Sequence, residues 1–192
     1  MKYSHNASAN ASATNTFELP GSFVHHTPFL NFNILYMLLK LNPDFDSKTL
    51  VDCEQKITIK VLLDIKEIEL DMAEMRIKQC DVSSSSVVKI ENIKIIDNED
   101  KLKVQFDRVL NAGTVFDLNI KYSAGYFSKC NNIPSLQSPR SGFHFITKTG
   151  RSNGPAIQSW TQGETLESRY WFPCIDDPQV KYPREIHITP PS

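Results

Sequence analysis

The sequence predicts an all-β protein, an antiparallel β-sandwich formed by a single domain. Apolar and polar residues alternate in short segments along most of the chain, and these segments are rich in β-branched and aromatic residues. Clusters of Pro, Gly, Asp, Asn and Ser separate the segments, as turns between strands require. A period of two puts every second side chain on one face, which is typical of antiparallel sheets with one buried face.

The first part of the chain shows no such alternation. Residues 1–16 are small and polar, so we expect a disordered tail, with the β domain occupying residues 17–192. His25 and His26 follow in a segment that contains prolines. Neighbouring side chains on an extended chain point to opposite faces, so these two histidines are not expected to hold one metal ion together.

Strands are expected wherever the alternation returns between turn residues. In chain order, they are expected at 34–39, 57–62, 68–72, 88–91, 93–95, 102–106, 115–122, 143–147 and 185–189. Turns or loops are expected at 43–47, 97–100, 131–139 and 148–155. Residues 65–75 include Glu, Lys and Met, which also suit a helix, and the segment could continue toward Ile77. The alternation of Ile68, Leu70 and Met72 favours a strand.

The composition narrows the classes of function. The chain has 21 basic and 22 acidic residues, so nothing indicates binding to nucleic acid or to an anionic membrane. No apolar run approaches the roughly 20 residues of a transmembrane helix, and the first residues lack the apolar core of a secretory signal. The four cysteines form no C-x-x-C pair, which is typical of reduced thiols, so a cytoplasmic location is expected.

The stretch from residue 158 to 178 is the densest aromatic segment of the chain. It contains both tryptophans, Trp160 and Trp171, together with Tyr170 and Phe172. Charged and amide side chains lie between these aromatic residues, and an aromatic wall with a few convergent polar groups is the usual composition of a small-ligand pocket. The alternative is a satellite hydrophobic cluster beneath a surface loop.

The order of residues in this stretch resembles the end of the N-terminal domain in the aminopeptidase N family of zinc metallopeptidases. That family has a T-Q-x-E or T-Q-x-Q turn, followed by R-x-x-F-P-C-x-D-x-P. This sequence has Thr161-Gln162-Gly163-Glu164, then Arg169-Tyr170-Trp171-Phe172-Pro173-Cys174-Ile175-Asp176-Asp177-Pro178. Further segments of the family pattern have counterparts at 43–50, 113–122 and 142–145, so the resemblance covers about residues 31–190.

The resemblance implies a saddle-shaped β domain that caps the active site of a following zinc-dependent aminopeptidase domain. In the family, the acid or amide at the fourth position of the turn pairs with the free α-amino group of a peptide substrate. By position that residue is Glu164, and Gln162 is expected to line the same pocket. Peptide N-termini are therefore the expected ligands. The alternative for Glu164 is an exposed carboxylate on a turn.

The zinc-binding motif of the family, H-E-x-x-H, is missing from this sequence, and so is the G-x-M-E-N motif. We therefore expect neither a catalytic residue nor a metal or other cofactor in this chain, with zinc held by a catalytic domain outside it. The chain is expected to be inactive alone and to pack on its own C-terminal catalytic domain if it is a fragment. The Pro-Pro-Ser sequence directly after a predicted strand suggests such a boundary.

Two other functions fit the resemblance. The aminopeptidase-like subunit of the transcription factor TFIID shares this domain without working catalysis, so a non-catalytic scaffold or protein-interaction domain is the main alternative. A second, weaker alternative is the activity of the branch of the family that hydrolyses a leukotriene epoxide. Retention of the acid in the T-Q-x-E turn favours the peptidase.

Other residues of the stretch are interpreted as structural. Arg169 and Asp176 are expected to form a charge-assisted pair that holds the turn. Cys174 is expected to be buried as a small hydrophobic residue rather than to react as a thiol. Three aromatic residues are expected to pack into the sheet or against the catalytic domain: Trp160, Trp171 and Phe172.

Overall fold

The computed structural model describes residues 30–83, 88–96, 99–125, 142–148, 154–164 and 166–189 of the chain. The predicted tail at 1–16, the adjacent histidines His25 and His26 and the predicted loop at 131–139 lie outside these residues. No helix with the length and hydrophobicity needed to cross a bilayer occurs within the described ranges.

Most of the strands coincide with predicted segments, but the strands at 43–44, 75–83 and 156–161 were not predicted. The strands are β1 (Phe32–Leu41), β2 (Pro43–Asp44), β3 (Thr49–Val61), β4 (Ile65–Asp71), β5 (Met75–Ser83), β6 (Ile90–Ile96), β7 (Lys101–Leu110), β8 (Val115–Ala124), β9 (Phe143–Thr147), β10 (Ala156–Thr161) and β11 (Arg184–Ile188). A 3-10 turn, Ser168–Tyr170, lies between β10 and β11. The all-β prediction is confirmed, and residues 65–71 form a strand rather than a helix.

These strands form three sheets. The six-stranded sheet has the order β11-β1-β3-β8-β5, and β2 pairs with β3 beside it. The three-stranded sheet has the order β4-β7-β6, and β9 and β10 form a two-stranded hairpin. Every pair is antiparallel except β1 and β11, which run parallel.

The parallel pairing of β11 corrects one detail of the prediction, which expected antiparallel neighbours throughout. Alternation with a period of two is the same whichever way a strand runs, so the pattern does not encode strand direction. A parallel pair only requires a long connection between its strands. Most of the chain separates β1 from β11, which is long enough for the connection that their parallel pairing requires.

The hydrophobic core lies between the six-stranded and the three-stranded sheets, and side chains of both sheets form one cluster. On β7, Leu102, Val104 and Phe106 alternate with exposed or half-buried residues and are themselves completely buried. The ring of Phe106 meets the ring of Phe116 on β8 edge to face, with centroids 5.4 Å apart. The two sheets are therefore packed as a sandwich through large side chains at alternating positions.

The chain passes from one sheet to the other at residues 72–74. β4 belongs to the three-stranded sheet and ends at Asp71, whereas β5 begins at Met75 in the six-stranded sheet. Glu74 has a φ of 52°, in the left-handed region that few residues other than glycine adopt. This turn explains why the strand does not continue from 68–72 toward Ile77, as the sequence allowed.

Truncating the aromatic contact between the sheets tests the assigned core. Phe106→Ala is expected to lower the free energy of unfolding by about 3–5 kcal/mol, because it removes a buried ring and leaves a cavity. Val109→Ala is the matched control, since Val109 lies on the same strand but is 53% exposed, and it should cost no more than about 0.5 kcal/mol. Urea unfolding followed by circular dichroism measures both, and equal losses would contradict this core.

Candidate functional site

The aromatic stretch forms the end of a hairpin and a loop that packs on the core. Its first residues belong to β10, the 3-10 turn follows, and residues 171–176 are buried against the core. The loop buries Tyr170, Trp171 and Phe172, which are 7%, 5% and 1% exposed. Trp160 instead lies on the hairpin, 44% exposed and stacked on His144 with ring centroids 4.2 Å apart. The aromatic residues of this stretch therefore do not form one wall.

Two buried polar side chains of the six-stranded sheet hold the loop from below. Gln55 on β3 donates from Nε2 to the carbonyl oxygen of Pro173 at 2.6 Å. The hydroxyl of Tyr122 on β8 donates to the carbonyl oxygen of Trp171 at 3.0 Å. A buried donor without a partner is costly, so each bond both satisfies a core side chain and fixes the position of the loop.

A buried group of charges fixes the loop from the side, through the end of β4. Oδ1 of Asp71 accepts a hydrogen bond from Nζ of Lys101 at 2.6 Å, and Oδ2 accepts from the backbone N–H of Asp176 at 2.9 Å. The carboxylate of Asp176 accepts from Nε of Arg169 at 3.1 Å, which confirms the predicted pair. Asp71 and Cys174 also exchange two backbone hydrogen bonds. We call Asp71, Lys101, Arg169 and Asp176 the loop-anchoring cluster.

Asp71 was missed by the sequence reasoning. Because Ile68 and Leu70 face the core, the alternation of β4 assigns Asp71 to the solvent face, yet Asp71 is only 7% exposed. It is buried because the loop crosses the end of β4 and covers it. No local signal in the sequence could have identified Asp71, since Lys101 is 30 residues away and its partner Asp176 in the loop is 105 residues away.

The electrostatics of the loop follow from this packing. Burial alone would lower the pKa of Arg169, but the nearby carboxylates of Asp71 and Asp176 outweigh it and raise that pKa above its ordinary value. Burial raises the pKa of the Cys174 thiol well above its ordinary value, and the same two carboxylates raise it further. Cys174 is 1% exposed, so the structure places it as the buried residue that was predicted.

A cleft of about 500 Å³ opens beside the loop. Phe172 is the largest of the buried side chains that line it. The guanidinium carbon of Arg184 lies 5.5 Å from the centroid of the Phe172 ring and 5.4 Å from that of Tyr182, which is cation–π geometry. Further lining charges come from Glu164, Asp176, Asp177 and Lys181. The cleft thus combines an apolar, aromatic floor with charges of both signs.

The structure brings one of the two predicted substrate-binding residues to this cleft. Glu164 is exposed and lines the cleft together with Gly163. Gln162 is half-buried and is not one of the cleft-lining residues. Its side-chain Nε2 donates to the carbonyl oxygen of Glu164 at 3.4 Å, and its backbone N–H donates to Gly142 at 2.8 Å. Gln162 therefore supports the backbone of the turn that carries Glu164.

A glycine is required where β9 approaches the loop. Gly142 has a φ of 59°, and a Cβ atom there would collide with the carbonyl oxygen of Glu167 and with the ring of Trp171. The hairpin and the loop consequently meet at backbone distance. Across the described ranges, no three His, Cys, Asp or Glu side chains are grouped so that they could hold a metal ion.

Comparison with known proteins agrees with this architecture. The model of the Peptidase M1 N-terminal domain family matches residues 27–192. Leucine aminopeptidase 2-2 of Meyerozyma guilliermondii is 26% identical over 165 residues, which cover 85% of this chain and 24% of that protein.

Two solved structures share the fold. Yeast LTA4 hydrolase in complex with bestatin has a TM-score of 0.59 at 20% identity, with 84% of this chain and 24% of that chain covered. An M1 zinc metallopeptidase from Deinococcus radiodurans, a mutant bound to a Tyr-Ser-Ala substrate, has a TM-score of 0.60 at 17% identity, with 82% and 32% covered. The chain thus spans about a quarter to a third of the length of these relatives.

Removing the central carboxylate tests the loop-anchoring cluster. Asp71→Ala is expected to lower the free energy of unfolding by about 3–5 kcal/mol, because it leaves buried partners of Asp71 unpaired. Glu67→Ala is the control: Glu67 also pairs with a lysine from β7, but at an exposed position, so its loss should cost at most about 1 kcal/mol. In a Trp160→Phe background, fluorescence of Trp171 should show a wetter environment only after the Asp71 change. An unchanged spectrum would contradict the anchoring role.

The buried thiols should react slowly in the folded protein. Burial raises the pKa of Cys53 to about 11, so at mildly alkaline pH its thiolate fraction is on the order of 100-fold below that of an unfolded cysteine. Cys174 should be at least as unreactive, because burial and the carboxylates of Asp176 and Asp71 raise its pKa well above its ordinary value. Iodoacetamide labelling of a Cys130→Ser variant, read by mass spectrometry with and without denaturant, measures this. Rapid labelling of Cys174 before unfolding would contradict its assigned position.

Proposed function

The chain belongs to the Peptidase M1 N-terminal domain family, whose model matches residues 27–192, and from this premise we propose that it caps the active site of a zinc-dependent aminopeptidase. Zinc and the catalytic residues are held by a C-terminal domain outside this chain, and the chain alone is inactive. Within the assembled enzyme, Glu164 binds the free α-amino group of peptide substrates, with Gln162 beside it. The scattered cysteines support a cytoplasmic location.

The position of Glu164 is the observation that carries this proposal. The carboxylate lies at the margin of a cleft, on a turn that is fixed on both sides. On one side, the backbone N–H of Gln162 donates to Gly142, and on the other, the backbone N–H of Glu167 donates to Gly163 at 3.1 Å. Because the backbone of the turn is already fixed, only the Glu164 side chain has to be ordered when it binds an ammonium group.

The strength of this contact depends on what covers the cleft. Glu164 is exposed in the chain itself, and an ion pair in open water contributes only about 0–1 kcal/mol. A second domain that excludes water from the cleft lowers the local dielectric constant and strengthens the same pair. A peptide with a blocked N-terminus would then bury Glu164 without a partner, which disfavours its binding. The chain therefore recognises amines usefully only when it is part of the larger enzyme.

The relatives support peptides as the ligand class. The Meyerozyma relative is named a leucine aminopeptidase, and the Deinococcus metallopeptidase was solved with a Tyr-Ser-Ala substrate. Each of these proteins is about three to four times as long as the part that matches this chain. Both facts agree with a capping domain that works beside a separate catalytic domain.

The first test reads the transcript beyond the codon for Ser192. We expect an H-E-x-x-H motif downstream, because two imidazoles at that spacing on one helix are what fix zinc for peptide hydrolysis. A stop codon directly after Ser192 would contradict the peptidase proposal. It would leave the non-catalytic scaffold, as in the aminopeptidase-like subunit of TFIID, as the function to pursue.

The second test changes the charge of Glu164 in the protein that the full transcript encodes. Glu164→Ala is expected to reduce kcat/KM for a free Tyr-Ser-Ala peptide by about 10- to 100-fold, the equivalent of losing a charged hydrogen bond of 1.5–3 kcal/mol. Glu167→Ala is the matched control, because it removes the same charge three residues away and outside the cleft lining. Equal effects of the two variants would contradict the role of Glu164.

A further inference from the structure

Arg184 carries a positive charge on the core side of the six-stranded sheet. It is aligned with Met37 of β1, which is completely buried, and aligned residues of paired strands point to the same face. The guanidinium carbon lies 5.5 Å from the centroid of the Phe172 ring and 5.4 Å from that of Tyr182. The two rings therefore hold this charged group at the wall of the cleft, which Arg184 lines.

This position leaves the hydrogen-bond donors of Arg184 available. Contact with an aromatic ring uses the charge of a guanidinium but none of its N–H groups. Within the described residues, no carboxylate lies at ion-pair distance from Arg184, in contrast to Arg169. Its charge nevertheless acts inside the cleft, since burial raises the pKa of Tyr182 and Arg184 opposes that rise. A fork of donors held in this way matches the two oxygens of a carboxylate.

The carboxylates that line the cleft are engaged elsewhere or come from another segment. Oδ2 of Asp176 accepts from Nε of Arg169 at 3.1 Å, and Oδ1 of Asp177 accepts from the backbone N–H two residues further on at 2.8 Å. Glu164 lies on the turn after β10, whereas Arg184 belongs to β11. The cleft thus presents an acid and a guanidinium on separate segments, and a ligand that carries both an ammonium and a carboxylate group complements the two.

We propose that Arg184 is a specificity-determining residue that binds a carboxylate of the peptide substrate. Two parts of a peptide can supply this group, a free C-terminus or an acidic side chain. The cleft volume of about 500 Å³ lies within the roughly 300–1,000 Å³ of small-ligand pockets, so a peptide that reaches both charged groups inside it is short. The inference rests on the proposed function, because it takes Glu164 as the group that binds the amine.

Lys181 lines the same cleft and adds a second positive charge. Its ammonium is a point charge on a flexible stem, whereas the guanidinium of Arg184 rests on two rings and presents its donors as a fork. Lys181 therefore strengthens the general attraction for anions, and Arg184 selects the planar geometry of a carboxylate. For this reason Arg184→Lys should retain only part of the preference for a carboxylate.

Peptide binding to the 192-residue chain tests the carboxylate contact without the amine. The probe is N-acetyl-Tyr-Ser-Ala, which has a free carboxylate and no amine, and its C-terminal amide is the neutral reference. The acid should shift the Nε–Hε signal of Arg184 in an NMR titration. It should also bind about two- to fivefold more tightly than the amide, which is the range of a solvent-exposed ion pair.

Variants assign this preference to one side chain. Arg184→Gln should make the acid and the amide bind equally, and Arg184→Lys should give an intermediate ratio. Arg108→Gln is the matched control, because it removes the same charge from β7, outside the cleft lining, and it should keep the full preference. Amide signals of β3 and β8 report whether each variant is folded.

A second pair of peptides identifies the source of the carboxylate. N-acetyl-Tyr-Glu-Ala amide and N-acetyl-Tyr-Gln-Ala amide differ by one side-chain charge and have no charged end. A preference for the Glu peptide that Arg184→Gln abolishes assigns the site to acidic side chains. The corresponding preference for the free C-terminus of the first pair assigns it to short free peptides, and either result supports the proposal.

Kinetics of the protein that the full transcript encodes separate this inference from amine recognition. Tyr-Ser-Ala should be cleaved with a kcat/KM about tenfold above that of its C-terminal amide, because a covered cleft strengthens the contact with Arg184. Arg184→Gln should remove this ratio. Glu164→Ala should instead lower kcat/KM for both peptides by the same factor, since both carry the free amine.

Two results would overturn the inference. The first is equal binding of the charged and neutral members of both peptide pairs by the unaltered chain, a comparison that does not depend on how any variant folds. The second is a preference that persists in Arg184→Gln, which would assign the anion to Lys181. An effect of Glu164→Ala without any carboxylate preference would leave amine recognition standing alone, and the reverse result would leave only the carboxylate site.

Discussion

The buried carboxylate of Asp71 is the interaction on which the candidate site depends most. It joins Lys101 of β7, the backbone of Asp176 and the guanidinium of Arg169, while its own backbone pairs with Cys174. A charge so deeply buried is tolerated only with several partners. The partners of Asp71 include both ends of the loop from Arg169 to Asp176, so the energy that stabilises this carboxylate also fixes the shape of the cleft.

Two buried polar atoms where the loop meets the core have no hydrogen bond. Within the described residues, Oε1 of Gln55 and Nε1 of Trp171 are buried without a hydrogen-bond partner. Unpaired groups of this kind are rare in protein interiors because each loses its hydration without compensation. Both lie in side chains that hold or form the loop, since Gln55 also donates to Pro173. The position of the loop is therefore set by its packing and its other hydrogen bonds rather than by these two atoms.

The cleft and strand β11 adjoin each other on the surface of the described residues. Arg184 belongs to both, because it is the first residue of β11 and its guanidinium lies over the Phe172 ring inside the cleft. The surface therefore combines a charged cleft margin with two exposed apolar side chains, Ile186 and Ile188. The face of the large sheet opposite the core carries exposed ion pairs, such as Lys40 with Glu54, and these side chains are in contact with water.

The sequence by itself determined the all-β class, most strand positions and the resemblance around Glu164, because these depend on local alternation and on residues at fixed spacing. It also identified the Arg169–Asp176 pair, whose members are seven residues apart. Only the tertiary structure decided the burial of Asp71, the parallel direction of β11 and the separation of Trp160 from Trp171. Each of these depends on contacts between distant segments, and a loop that crosses a strand end buries a residue that the alternation assigns to solvent. Local patterns record which face a residue prefers, but the neighbouring elements decide what covers that face.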